Sequence, residues 1–535
     1  MTRLGAVQVV ILLMAVVLVL TTIARRILLP YPILLVLGGL GLALVPGLPA
    51  VMLDPDLVFF VFLPPILWSA AYFTSWRDFK ANIRTISLLA LGLVGATTAA
   101  VAWAAHALIP GLPWSAAVAL GAIVSPPDAV AATAIARQLR IPHRIVTILE
   151  GESLVNDAGA LVLYRVAVAA LVTGRFSVSS AVTQFFVAAV GGVLIGFVVG
   201  WIVGQALRLT RDSFSEVAAT LLAPYVAWLV AEAAGTSAVL ACVAGGYYLR
   251  QGFSRVVAPA TRMQARAVWE QFVFILNGLI FILIGLQLET LWNAVPAADL
   301  RSLLLQKLAI SVLAIGVRLV WVALAVWIPR VVSERLRERD PMPPWSAVFL
   351  LGWTGMRGIV SLAAALALPA LTATGERLPY REQVILLTFV VIVVTLVVQG
   401  LSLTPIIRRL DLIDDDAIDR EEALARAEAA KAAIARLGDV SDAPWVRKEH
   451  ADRMRVQYGQ RLVRFTQPEL SDAECAVDAQ AAFRRLRREA LEAERARVIR
   501  LRDHGVIGDE VLHRIEQELD VEAIRHGLGE LRSGA

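Results

Sequence analysis

The chain is dominated by apolar runs of about 20 residues, which is the length of helix that crosses a hydrocarbon core roughly 30 Å thick. A bilayer contains no water to satisfy open backbone groups, so such runs favour helices. We count thirteen runs, at approximately 5–24, 27–45, 57–73, 85–108, 114–136, 146–172, 180–207, 214–233, 235–250, 268–289, 303–328, 346–369 and 383–407. The sequence therefore predicts an all-α membrane protein with about thirteen transmembrane helices.

The composition divides the chain into two regions. It is 58% apolar and 18% charged overall, which excludes an ordinary soluble protein. Residues 1–410 carry 29 Lys and Arg against 18 Asp and Glu, whereas residues 411–535 carry 21 against 27. The second region has charges at helical spacing, as in DREEALARAEAAKAAIARL. We predict a transmembrane domain at 1–410 and a cytoplasmic α-helical domain at 411–535.

Basic residues alternate between the loops, and this predicts the orientation. One set of loop sides, from Arg25 and Arg26 to Arg408 and Arg409, holds 20 Lys and Arg, whereas the other set holds six. Cytoplasmic loops retain basic residues. We therefore expect a multi-pass protein of the cell membrane, with its N-terminus outside and its tail in the cytoplasm.

Four charged residues lie near the middle of apolar runs, namely Asp128, Asp157, Arg318 and Arg357. A charge at that depth costs about 2.5–3.5 kcal/mol on insertion scales, so each one is a functional candidate. Residues near the ends of runs reach water by extending their side chains and need no such explanation.

Two of these charges coincide with signs of a broken helix. Pro126 and Pro127 directly precede Asp128, and consecutive prolines remove two amide donors. The segment LGWTGMRGIVS surrounds Arg357 with glycines, so the chain can unwind there while the cation offsets free carbonyls. An acid at one break and a base at another predict two broken helices that cross at the membrane centre within inverted repeats.

The stretch LEGESLVNDAGALVLYR places oxygen atoms around Asp157. On a helix Glu150, Ser153 and Asp157 share one face, and Glu152 and Asn156 share a second. Carboxylate and hydroxyl oxygens suit a hard cation, and burial disfavours the charged form of a carboxylate. Asp157 is therefore expected to hold either a proton or a monovalent metal cation. Because Asn156 is neutral, we predict electroneutral one-for-one exchange.

Three motifs carry a resemblance to a known family: SPPDAVAATAI, GESLVNDA and GMRGIVSLAAALALP. With them the chain resembles bacterial sodium/proton antiporters of the monovalent cation:proton antiporter-1 family, and the ending EVLHRIEQELD extends the likeness into the tail. The resemblance implies thirteen helices with six-helix inverted repeats, a mobile core, a dimerisation domain, a homodimer and alternating access.

The resemblance also implies roles for individual residues. Asp157 would be the ion and proton carboxylate, Asn156 its structural neighbour, Ser153 a ligand and Asp128 the residue at the crossing. Many relatives have Thr-Asp-Pro at the first break where this chain has Pro127-Asp128-Ala129, so a threonine hydroxyl is missing.

The same resemblance implies a buried ion pair between Glu152 and a core arginine. Arg318 and Arg357 lie at similar depth, so the sequence leaves both open as the partner.

Several other functions stay open at this stage. A potassium/proton antiporter of the same architecture has the same oxygen ligands. An intramembrane aspartyl enzyme would use Asp128 and Asp157 together, but no GxGD, HExxH or GxSxG sequence occurs. A passive channel would make little use of a titratable carboxylate. We expect no enzyme activity, no cofactor and no nucleic acid partner; the expected partners are the bilayer, the transported Na⁺ or K⁺, and H⁺.

Overall fold

The structure is a computed structural model. It describes residues 3–27, 29–45, 53–139, 141–173, 178–210, 212–293, 300–372, 375, 377–378, 380–410, 417–441, 443 and 445–466, together with part of 486–523.

The regular secondary structure of the described residues is helical, apart from one isolated β-bridge between Leu371 and Arg377. The all-α prediction is confirmed. In chain order the helices are α1 Arg3–Ile27, α2 Tyr31–Ala43, α3 Pro55–Phe73, α4 Trp76–Ala81, α5 Ile83–Leu108, α6 Trp114–Val124, α7 Ala129–Gln138, α8 His143–Thr173, α9 Val178–Leu209, α10 Ser213–Ala233, α11 Ala238–Val256, α12 Pro259–Asn293, α13 Leu300–Val332, α14 Glu334–Arg339, α15 Trp345–Trp353, α16 Ile359–Leu366, α17 Arg381–Leu410, α18 Ala417–Asp439 and α19 Lys448–Thr466.

Each of the thirteen predicted runs coincides with a helix or a pair of helices. Within the described part of the chain, nine helices are long and apolar enough to cross a membrane. The other four runs correspond to the short helix α2, to α11, and to the interrupted pairs α6/α7 and α15/α16. The chain is therefore a multi-pass membrane protein.

Local sequence signals set where several helices begin. α3 starts at Pro55, whose fixed backbone angle suits a first turn, and the Asp54 carboxylate accepts a hydrogen bond from the Asp56 amide at 3.0 Å. At the start of α11 the Ser237 hydroxyl accepts one from the Leu240 amide at 3.3 Å. These side chains satisfy amide donors that a first helical turn leaves open.

The strongest packing divides the transmembrane helices into two groups. The flanking group contains α1, α2, α3, α9, α10, α11 and α12. The core group contains α5, α6, α7, α8, α13, α15, α16 and α17. In the flanking group Gly39 of α2 meets Gly285 of α12 so closely that a Cβ on Gly39 would lie 2.3 Å from the Ile282 carbonyl oxygen. Small residues allow this approach of two backbones, as is common in membranes.

Contacts also divide the chain into two units, Met1–Asp414 and Asp415–Ala535. In the second unit α18 packs on α19, and the Arg426 guanidinium lies over the Phe465 ring at 5.3 Å from its centroid. Most of the late motif EVLHRIEQELD falls outside the described residues.

Candidate functional site

The two breaks of the core group lie directly against each other. Between α6 and α7, residues 125–128 are not helical, and neither are residues 354–358 between α15 and α16. The Asp128 amide donates a hydrogen bond to the Met356 carbonyl oxygen at 2.7 Å. Each break therefore supplies hydrogen-bond partners to the other, which is how irregular backbone is tolerated at membrane depth.

Arg357 is buried, and its side chain donates hydrogen bonds to backbone carbonyls. Its guanidinium donates to the Val124 oxygen at 3.2 Å, to the Gly355 oxygen at 2.5 Å and to the Ala314 oxygen at 3.2 Å. Val124 is the last residue of α6, so the cation lies at the negative end of that half-helix. The backbone amide of Arg357 donates to the Thr395 hydroxyl at 3.2 Å.

The buried ion pair joins Glu152 of α8 to Arg318 of α13. The two guanidinium nitrogens lie 2.5 and 2.9 Å from the two carboxylate oxygens, and both side chains are 1% exposed. Arg318 also donates to the Leu351 carbonyl at 3.2 Å. Of the two arginines that the sequence left open, Arg318 is the partner of Glu152 and Arg357 is not, because the Arg357 guanidinium donates to the Val124, Gly355 and Ala314 carbonyls.

Two glycines of the second break make room for charged side chains. A Cβ on Gly355 would lie 2.1 Å from Arg318 Cδ, and a Cβ on Gly358 would lie 1.8 Å from Asp128 Oδ2. The other Asp128 oxygen, Oδ1, accepts from the Val130 amide at 2.8 Å at the start of α7. Asp128 is thus held in the first break with its carboxylate packed against the second.

Asp157 lies in the middle of α8 and is 7% exposed. Among the described residues, no arginine or lysine lies within ion-pair distance of its carboxylate. Its neighbour Asn156 is fully buried and donates from Nδ2 to the Pro127 carbonyl at 3.3 Å, which attaches α8 to the first break.

A cavity of about 630 Å³ reaches the Asp157 carboxylate. Ser153, Asp128 and Pro127 line it beside Asp157, so carboxylate, hydroxyl and carbonyl groups able to hold a hard cation meet there. Arg266 and Glu270 also line it, and because this pair, 2.8 Å apart, is exposed, the cavity opens at the surface where they lie. The carboxylate therefore adjoins a path towards one surface of the protein.

The polar residues of the cavity wall that the sequence reasoning missed include Tyr31 of α2, Asn277 of α12 and Ser361 of α16. Asn277 lies within the apolar run at 268–289, and Tyr31 lies between Pro30 and Pro32 at the start of α2. Ser361 follows GMRGIV directly, and its place after a break was the one signal that could have identified it.

A charged cluster was also missed, formed by Asp340, which lies outside the membrane-spanning helices, and by arginines at the ends of three of them. The Asp340 carboxylate accepts from Arg84 at 3.0 Å, from Arg144 at 2.8 Å and from Arg330 at 2.6 Å. Burial alone would raise the pKa of Asp340, but the hydrogen bond and charge of Arg144 and the charges of Arg330 and Arg84 hold that pKa below 3.8. The cluster ties the ends of α5, α8 and α13 together.

Comparison with known proteins gives consistent results. The sequence profile of the family described as "Sodium/hydrogen exchanger, transmembrane" matches residues 11–409. A Mycobacterium tuberculosis protein named as an uncharacterised Na⁺/H⁺ exchanger is 34% identical over 522 residues, which cover 97% of this chain and 95% of the relative. A Bacillus pumilus protein named as a sodium, potassium, lithium and rubidium/H⁺ antiporter is 35% identical over 386 residues, covering 70% and 57%.

Among solved structures, the sodium/proton antiporter MjNhaP1 of Methanocaldococcus jannaschii superposes with a TM-score of 0.58 at 18% identity, covering 77% of this chain and 99% of that one. At that identity the likeness concerns the fold. Together with the profile match over most of the chain, it leads to one conclusion: the chain belongs to the sodium/hydrogen exchanger family of bacterial monovalent cation:proton antiporters.

Proposed function

We propose that this protein exchanges a monovalent cation, with Na⁺ favoured, for a proton, and that Asp157 carries both. One observation supports this most strongly: the Asp157 carboxylate is buried, adjoins a cavity and has no basic partner among the described residues. A buried carboxylate without a partner is unstable as a bare charge, so it takes up a proton or a cation. The family is one of transporters, which argues against an enzyme.

Competition for one carboxylate produces the exchange. Cation binding displaces the proton from Asp157, and protonation releases the cation. The adjacent Asn156 carries no charge, while Asp128 is held by the Val130 amide and packed against Gly358. One proton is therefore exchanged for one monovalent cation, and no net charge crosses the membrane.

The other polar residues have supporting roles in this proposal. Ser153 supplies a hydroxyl ligand one turn before Asp157, and Asn156 holds the first break through Pro127. The Glu152–Arg318 pair fixes α8 against α13, and Arg357 neutralises the open carbonyls at the breaks.

The architecture proposed for this exchange has thirteen membrane crossings. The series α5, α6/α7 and α8 has a counterpart in α13, α15/α16 and α17, since each has a broken helix between two continuous ones. We assign these series to the inverted repeats. Alternating access would follow from movement of the core group against the flanking group, which also forms the dimer contact of a homodimer.

The cavity gives this proposal a direction. Arg250 and Arg266 line the end of the cavity that opens at the protein surface, and both belong to the loop sides rich in basic residues. With a cytoplasmic tail and an external N-terminus, that end faces the cytoplasm. The described state would then be open to the inside.

Potassium is the second candidate cation. The Bacillus pumilus relative is named for four alkali ions, and oxygen ligands without a fixed geometry bind several of them. Vesicles that contain the purified protein and a pH dye distinguish Na⁺ from K⁺ as the transported cation. Each chloride salt is added in turn, and the rates of proton movement with the different salts are compared.

The same vesicles test the stoichiometry. With K⁺ and valinomycin setting the membrane potential, the rate of electroneutral Na⁺-driven proton movement should be the same at zero and at imposed voltage. A rate that changes with voltage refutes the one-for-one exchange. Absence of any cation-dependent proton movement refutes the proposed function.

A further inference from the structure

Ser361 lies in the first turn of α16, directly after the second break. It lines the same cavity as Asp157 and Ser153. Its side chain is 2% exposed, and its hydroxyl has no hydrogen-bond partner among the described residues.

Two other buried serines of the core group donate hydrogen bonds from their hydroxyls to backbone carbonyls. Ser125 donates to the Ala122 carbonyl at 3.0 Å, and Ser311 donates to the Lys307 carbonyl at 2.8 Å. Leaving a buried polar group without a hydrogen-bond partner is destabilising. Of the described side chains that contain such an atom, Ser361 is the one that lines the cavity. The cavity itself is therefore where the missing partner belongs.

The first break has no free hydroxyl to place in this position, because that of Ser125 donates to the Ala122 carbonyl and Ser125 is not among the residues that line the cavity. Residues 126–129 are Pro, Pro, Asp and Ala, and the Pro127 carbonyl already accepts from Asn156. Asp157 and Ser153 both project from α8, so they approach a cation from one helix. A hard cation gathers oxygen ligands from several directions, and Ser361 contributes its oxygen from a different helix.

We propose that the Ser361 hydroxyl is a ligand of the transported cation, which it contacts from α16 while Asp157 and Ser153 contact it from α8. This inference rests on the proposed function, because it adds a ligand to the same site. Cation binding then links the helix that carries Asp157 to the half-helix that follows the second break.

The test measures exchange rate against Na⁺ concentration at fixed pH in vesicles. Ser361→Ala should raise the apparent KM for Na⁺ about tenfold, which corresponds to about 1.4 kcal/mol, with a maximal rate close to that of the parent. Ser361→Thr keeps the hydroxyl and should stay near the parent value. Ser361→Cys keeps the size but presents soft sulfur, so its KM should rise as in the alanine variant.

Ser311→Ala is the matched control, since it removes an equally buried hydroxyl that does not line the cavity. Its KM should equal that of the parent, and an equal rise in both alanine variants would overturn the ligand role in favour of packing. A parent-like KM in Ser361→Ala also overturns it, with exchange itself left standing. If that variant does not fold, equal KM values for Thr and Cys overturn it. An inactive parent refutes the proposed function instead.

Discussion

Glu152 and Asp157 lie five residues apart on α8, and both are buried, yet their surroundings differ completely. Glu152 makes two hydrogen bonds with the Arg318 guanidinium, at 2.5 and 2.9 Å. Asp157 has no basic partner among the described residues and adjoins a cavity of about 630 Å³. Depth in the membrane is thus a poor guide to role: a carboxylate with a fixed counter-charge stabilises the fold, whereas one without it remains available to ions.

The largest effect is expected at the carboxylate that has no partner. Asp157→Asn removes the titratable group, so Na⁺-driven proton movement in vesicles should fall by at least about 100-fold, as expected when a charged ligand is lost. The melting temperature should be unchanged or higher, because a bare buried charge is removed. Full exchange by this variant would show that the ion binds elsewhere.

The paired carboxylate should respond in the opposite way. Glu152→Gln leaves the Arg318 charge buried and uncompensated, so the unfolding free energy should fall by about 3–5 kcal/mol. Glu152→Leu with Arg318→Met removes both charges and should recover much of that loss. Thermal unfolding in detergent measures each variant. A double variant less stable than the single ones would contradict a purely structural pair.

The contact between the breaks should be sensitive to a single methyl group. A Cβ on Gly358 would lie 1.8 Å from Asp128 Oδ2, so Gly358→Ala must displace Asp128 and should lower stability by about 1–3 kcal/mol. Exchange should fall with it. Gly316→Ala is the control, because a Cβ there meets nothing within 4 Å and should be tolerated in α13. Equal melting temperatures for the two variants would rule out the close approach.

The smallest effect concerns the Asp340 cluster. Its lowered pKa means that the Asp340 charge stabilises the folded state above the ordinary value of 3.8, and that this contribution disappears as pH falls through the lowered pKa. Asp340→Asn should therefore lower the free energy of unfolding near neutral pH, by roughly 1 kcal/mol or less per pair, with the difference shrinking in acid. The melting temperature, measured as a function of pH, should fall accordingly. Glu334→Gln, in the exposed pair with Arg337, should change nothing. A difference independent of pH would contradict the charge effect.

The sequence predicted those features that depend on neighbouring residues. The apolar runs predicted the helices, and Pro126 and Pro127 predicted the interruption before Asp128, since proline lacks an amide donor. The helical period placed Ser153 and Asp157 together, and both line one cavity.

The sequence could not predict contacts between distant segments. The choice between Arg318 and Arg357 depends on how α13 and the second break are rotated about their axes, and both arginines lie at similar depth. Asp340 meets Arg84 across 256 positions and Arg144 across 196. Ser361 was identified because its buried hydroxyl has no hydrogen-bond partner among the described residues, and that can be seen only in the three-dimensional structure.

The central claim is that Na⁺ and H⁺ compete for the Asp157 carboxylate, and calorimetry tests it most directly. Na⁺ is titrated into purified protein in buffers of different ionisation enthalpy, which gives the number of protons released as the ion binds. At a pH where Asp157 is protonated, the parent should release about one proton for each Na⁺ bound, and Asp157→Asn should release none. Na⁺ binding by the parent without proton release would contradict the account.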